Sequence, residues 1–271
     1  MKLYGYSGAG NTFVVTDGRR PGAPSGAPEA SAAVSILPET VRQLCSLHGT
    51  DGLMVLRDSG RYDFRMEFFN PDGSTGMMCG NGGRCIAAFA ANLGITPAGE
   101  QYVFEAPDGV HTAGILGCES GVYTVRLSLK GPSEVLPVLD GWFLDTGARH
   151  FVRFVPDVEA VDVDGEGRAL RHHSVFAPEG TNVDFVQLLP DGSVKIRTFE
   201  KGVERETLAC GTGITASAIF SALKEKSCPL SGQPLPVFVK TVHAREADLT
   251  VENTPEGLFL TGPACEITLK G

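Results

Sequence analysis

Cys79-Gly80-Asn81-Gly82 and Cys210-Gly211-Thr212-Gly213 are two copies of one short pattern, and what surrounds them decides the fold. Each opens an Ala-rich stretch, Gly80 to Leu93 and Gly211 to Lys224, whose composition predicts a helix starting immediately after the cysteine. The copies stay in step downstream, Ala87 against Ala218 and Phe89 against Phe220, at an offset of 131 residues in a chain of 271. In both, a strand leads through an acidic polar loop to the cysteine. Gly and Ala also match by chance, but the shared element order favours duplication into two similar α+β halves. The small residues let each helix sit closely wrapped by its own sheet.

Further out, Phe64, Met66 and Phe68 alternate with polar positions and predict a strand within Arg61 to Phe69. Strand character recurs at Tyr123 to Leu129, His150 to Val155, Asn182 to Leu189, Val194 to Phe199 and Leu249 to Val251, with a turn at Pro190-Asp191-Gly192. Val41, Leu44, Cys45 and His48 have helical spacing and predict a third helix over Glu39 to His48, entered after Pro38. These three are the only helices expected. Arg19 to Pro38, rich in Pro, Gly, Ala and Ser, reads as a long surface loop.

With 42% hydrophobic and 20% charged residues the chain has the composition of a globular protein. A formal charge of -9 without a basic block argues against nucleic acid and anionic membranes as partners, and for a small molecule. The N-terminal MKLYGYSGAGN has no apolar leader core, and no long apolar run follows, so a cytoplasmic location is expected. Seven cysteines, an odd number, fit reduced thiols better than a disulfide framework.

A cysteine at a helix start lies where unpaired N-H groups and the helix dipole favour its thiolate. The glycines after it let backbone N-H groups approach a carboxylate. If both turns face one ligand, one thiolate takes a proton from a carbon and the second thiol returns one to the opposite face, which inverts a stereocentre. Cys85, Cys118, Cys228 and Cys265 lack the Cys-Gly-x-Gly setting and are read as structural. No zinc-type spacing or P-loop is present, and His172-His173 reads as surface. Two other readings stay open: a single-thiol isomerase or hydrolase paired with a histidine such as His150, and a non-catalytic carboxylate-binding protein.

Asn70-Pro71-Asp72-Gly73-Ser74 with Met78-Cys79-Gly80-Asn81-Gly82-Gly83-Arg84 resembles the first cysteine signature of the diaminopimelate epimerase family. Phe199-Glu200-Lys201-Gly202-Val203 with Glu206-Thr207-Leu208-Ala209-Cys210-Gly211-Thr212-Gly213 resembles its second, and Gly10-Asn11 and Gly180-Thr181-Asn182-Val183 also fit. The resemblance implies two pseudo-symmetric α+β domains, each a curled, mostly antiparallel sheet around a central helix. It places the halves at 1–130 with 260–271, and 131–259, the last strand returning to the first half. It implies epimerisation of LL- to meso-diaminopimelate, for lysine and cell-wall precursor synthesis, with no cofactor and no metal. Cys79 and Cys210 become the acid/base pair, and the backbone of Gly80, Asn81, Gly211 and Thr212 holds the reacting carboxylate. Asn11 and Glu200 would bind the amino group there, and Asn70 and Asn182 the remote end.

The chain differs from the pattern at the remote end. Lys201 stands where the family has Arg, Gly147-Ala148-Arg149-His150 replaces Gly-Asn-Pro-His, and Thr12 replaces an acid. An ammonium does not reproduce a guanidinium fork on a carboxylate, so Arg149 is the expected substitute, with Lys201 and His150 beside it. Another amino acid as substrate is the nearest alternative. The assembly is left open between a monomer and a homodimer.

Overall fold

Residues 2–20, 36–132, 135–225 and 235–270 are described in the computed structural model. They divide into two compact units, residues 1–128 with 262–271, and residues 129–261. Most of the proposed Arg19 to Pro38 loop, and Cys228, lie outside the described residues.

In the first unit the strands are β1 (Tyr4–Gly8), β2 (Asn11–Asp17), β3 (Leu53–Arg57), β4 (Phe64–Phe69), β5 (Tyr102–Ala106), β6 (Gly109–Glu119) and β7 (Val122–Leu129). They lie side by side in chain order; β2 with β3 and β4 with β5 are parallel, and β1–β2, β3–β4, β5–β6 and β6–β7 are antiparallel. The final residues of the last strand, Cys265 to Ile267, pair antiparallel with β1. Helix α1 (Pro38–His48) starts with Pro in its first turn, where a missing N-H costs nothing, and ends on Gly49 in the left-handed region. Helix α2 (Gly80–Asn92) is the core element: every residue from Gly80 to Ala90 is buried. Tyr4 and Tyr6 close on its Phe89, with ring centroids 5.0 and 5.6 Å away.

The second unit contains β8 (Val135–Val138), β9 (Gly141–Asp145), β10 (Arg149–Phe154), β11 (Asn182–Leu188), β12 (Val194–Glu200), β13 (Arg205–Thr207), β14 (Phe238–His243), β15 (Asp248–Thr254) and the first residues of β16 (Gly257–Ile267). Their order is β16-β15-β14-β12-β11-β10-β9-β8, with β13 on β12. Helix α4 (Gly211–Glu225) is buried along nearly its whole length, as α2 is in its own unit. The class is therefore α+β with a repeated half, as the two Cys-Gly-x-Gly turns predicted.

Helix α3 (Val163–Arg171) is a fourth helix that the pattern did not predict, because Gly165 and Gly167 lower its propensity. Packing and capping override that. Asp162 accepts the Gly165 N-H at 3.0 Å, and a Cβ on Gly167 would stand 2.5 Å from Cβ of Phe199, so only glycine lets α3 lie this close to β12. With Val163 and Leu170 of α3, and with Val158 and Val183, the side chains of Phe143, Phe151, Phe176, Phe185 and Phe199 form an aromatic core.

Candidate active site

The first half-site begins where β4 ends. Asn70 to Ser74 forms a tight turn: Ser74 oxygen accepts the Asn70 N-H at 2.9 Å, and Asp72 Oδ1 accepts the Ser74 N-H at 2.8 Å and its hydroxyl at 2.6 Å. Asn70 Nδ2 donates to Ser74 Oγ at 3.0 Å, so its side chain serves the turn. The chain then reaches Cys79, which is extended (φ -110°, ψ 151°) and caps α2, its sulfur accepting the Gly82 N-H at 3.2 Å. The thiol thus sits on the positive end of a buried helix, a setting that favours negative charge on sulfur. The N-H groups of Gly80 and Asn81 belong to the first turn, which has no helix carbonyl to bond.

Around this cap a polar chain runs from the buried Arg84 and Asn81 out to the exposed Asp51. Arg84 Nη2 donates to Asn81 Oδ1 at 2.7 Å, Asn81 Nδ2 to Asn11 Oδ1 at 2.6 Å, and Asn11 Nδ2 to Asp51 at 3.2 Å. Arg84 is fully buried, and burial pulls its guanidinium down to about 10, which leaves it charged at neutral pH. Its Nη1 also donates to the Gly80 carbonyl at 3.2 Å. Arg84 was not among the expected site residues; the signal for it in the sequence is a lone cation in an Ala-rich helix.

In the second half-site β12 ends at Glu200, whose Oε2 accepts from Thr207 Oγ1 on β13 at 2.9 Å. Cys210 opens α4, and its sulfur is 3.4 Å from Thr212 Oγ1. Thr212 Oγ1 is in turn 2.8 Å from His150 Nε2, and His150 Nδ1 is 2.7 Å from Asp184 Oδ2, with both of these side chains fully buried. Thr198 completes the group, its hydroxyl donating to Asp184 Oδ1 at 2.7 Å. Burial opposes charge on His150, but Asp184 and Cys210 outweigh it and raise the imidazole above the ordinary histidine range.

That raised value makes stability depend on pH. The stabilisation from the His150 charge is complete below the unfolded histidine value and is lost as pH rises through the folded one. Between about pH 6 and about pH 9 the urea midpoint of the protein should fall further than that of a His150→Gln variant. Equal slopes in paired urea titrations would contradict this.

The remaining expected residues divide by what holds them. Asn182 Nδ2 donates to the Arg149 carbonyl at 2.9 Å and its Oδ1 accepts the Lys201 N-H at 2.8 Å, so this amide ties β10 to the end of β12. Arg149 pairs with Glu179 at 2.8 Å and lies over the Phe143 ring at 5.1 Å, while Lys201 is exposed. Burial pushes the Cys45, Cys85 and Cys265 thiols up, so they stay protonated; Cys118 is exposed on β6. His172 and His173 are both exposed. Asp184, absent from the expected set, was visible as the one acid in the apolar strand Asn182 to Leu188.

A solved structure of the Bacillus anthracis phenazine biosynthesis protein of the PhzF family has the same fold, with a TM-score of 0.68 at 15% identity over 99% of this chain and 98% of that one. Fold and relatives together define an isomerase of the amino acid racemase and epimerase class. Residues 4–120 and 142–263 match the family model for diaminopimelate epimerase. The diaminopimelate epimerase of Aquifex aeolicus is 40% identical over 98% of this chain and 96% of its own, and that of Chlorobaculum tepidum is 42% identical over 79% and 81%. The chain belongs to the diaminopimelate epimerase family.

Proposed function

We propose that the chain interconverts LL- and meso-diaminopimelate by a two-base reaction, in which Cys79 and Cys210 work on opposite faces of the α-carbon. The observation that carries this reading is that each of the two Cys-Gly-x-Gly cysteines heads a buried helix. A thiolate takes the α-proton, the carbanion spreads its charge onto the adjacent carboxylate, and the other thiol delivers a proton from the far face. The reaction ends with the two sulfurs' protonation states exchanged. N-H groups of Gly80, Asn81, Gly211 and Thr212, at the positive ends of α2 and α4, match the charge that develops on the carboxylate.

Asn11 and Glu200 are the proposed contacts to the reacting amino group, and Asn70, Asn182, His150, Arg149 and Lys201 belong to substrate recognition. No cofactor or metal enters this scheme. No helix among the described residues is long and apolar enough to cross a membrane. We place the reaction in the cytoplasm, where thiols are kept reduced and serve lysine and cell-wall precursor synthesis.

Purified protein given LL-diaminopimelate should accumulate the meso isomer to equilibrium, read by chiral chromatography; absence of meso product with turnover of a different amino acid would move the substrate. Arg149 offers the remote carboxylate the guanidinium that Lys201 lacks. Arg149→Ala should therefore raise KM about tenfold with kcat changed less than about twofold, the loss of one charged hydrogen bond. An unchanged KM would remove Arg149 from recognition.

A further inference from the structure

We propose that Asp184 is the positioning residue of the second half-site: it holds His150 with Nε2 turned to Thr212 and Cys210, and thereby sets the reactivity of the Cys210 sulfur. This rests on the reading of Cys210 as a reacting thiol and adds a residue outside both cysteine motifs.

A fully buried carboxylate is costly unless each oxygen is paired. Here Oδ2 faces His150 Nδ1 and Oδ1 accepts the Thr198 hydroxyl, each at 2.7 Å. The register explains the second contact, since Asp184 and Thr198 are directly opposite on β11 and β12. With Nδ1-H given to the carboxylate, the second ring nitrogen is the one left for the active site. It lies 2.8 Å from Thr212 Oγ1, which is 3.4 Å from Cys210 Sγ. A line therefore runs from buried acid to ring to hydroxyl to sulfur, the arrangement by which an acid orients an imidazole toward a nucleophile.

The start of α4 is built to sit on this pair. A Cβ on Gly213 would stand 2.5 Å from Asp184 Oδ1 and 3.1 Å from His150 Cε1. The charged or titratable groups acting on the ring are Asp184 from β11 and Cys210 at the head of α4, with Asn182 Nδ2 of β11 at 3.4 Å from Nε2. A charged ring donates through both nitrogens, so Nε2-H points to Thr212 Oγ1 and the threonine hydroxyl is left to point at sulfur. Its proton stays on the ring; the ring contributes direction and charge. The first half-site is served differently: the Cys79 sulfur accepts the Gly82 N-H, and the nearby buried cation is Arg84, which does not titrate near neutrality. Loss of Asp184 should therefore affect one thiol and spare the other.

Asp184→Asn keeps the size and one acceptor but removes the charge. Iodoacetamide labelling at neutral pH, with both cysteine peptides read by mass spectrometry in one sample, should show Cys210 slowed about tenfold and Cys79 changed by less than about twofold. In 15N spectra the His150 ring should lose its second proton at lower pH in the variant than in the native protein. If Asp184→Asn fails to fold, Thr198→Val, which removes one bond to the carboxylate, should slow Cys210 labelling about threefold. Unchanged Cys210 labelling in a folded variant, or an unmoved His150 titration, overturns the proposal. Labelling needs no substrate, so a protein that shows the contrast without epimerising diaminopimelate keeps this inference and loses the proposed function.

Discussion

Replacing either Cys79 or Cys210 with Ala lowers LL-to-meso conversion by about two to four orders of magnitude, while the folded protein is retained. The size follows from the removal of one general acid or base from a reaction that needs both, which is worth about a hundredfold to ten-thousandfold for each group. Neither side chain is part of the buried core: both cysteines are of intermediate exposure and neither is in a disulfide. Ser in place of either Cys preserves shape but offers a far weaker acid, so the serine variants should be almost as slow as the alanine ones. A variant with one thiol that keeps more than about a tenth of the native rate would favour a single-thiol reaction assisted by a histidine.

Phe151→Ala costs the chain about 3 to 5 kcal/mol, the usual range for emptying a large aromatic site in a packed core. Phe151 is fully buried on β10, one residue after His150, with its ring 5.3 Å from that of Phe176 in the aromatic cluster of the second unit. Total stabilities are about 5 to 15 kcal/mol, so this single change removes a large share. Urea unfolding should show the midpoint moving down with little change in slope. A shift under about 1 kcal/mol would mean that the cluster repacks around the gap.

The two central helices and the repeat were legible because they depend on local signals: a cysteine followed by glycines, then small residues in series. The resemblance of the flanking motifs supplied the family and the site residues. Strands with clean alternation, such as Phe64–Phe69, were also readable. Helix α3 was not, because Gly167 serves contact with Phe199 and the helix start depends on the Asp162 cap against Gly165; both are tertiary or local contacts that periodicity does not show. Strand β3, buried at all five positions, shows no alternation to read. The polar group behind Cys210 was only half legible, for a related reason: His150 and Thr212 were among the expected site residues, whereas Asp184 and Thr198 were not. Asp184, His150, Thr198 and Thr212 are spread over 63 positions of sequence and become one group only when β10, β11, β12 and the head of α4 are side by side.

Proton NMR of the reduced protein in deuterated water with LL-diaminopimelate tests the central claim most directly. The two-thiol account predicts loss of the α-proton signal as solvent deuterium enters during inversion, and its abolition in both Cys79→Ala and Cys210→Ala. An α-proton that persists in the native protein, or exchange with inversion that survives loss of one thiol, would contradict it.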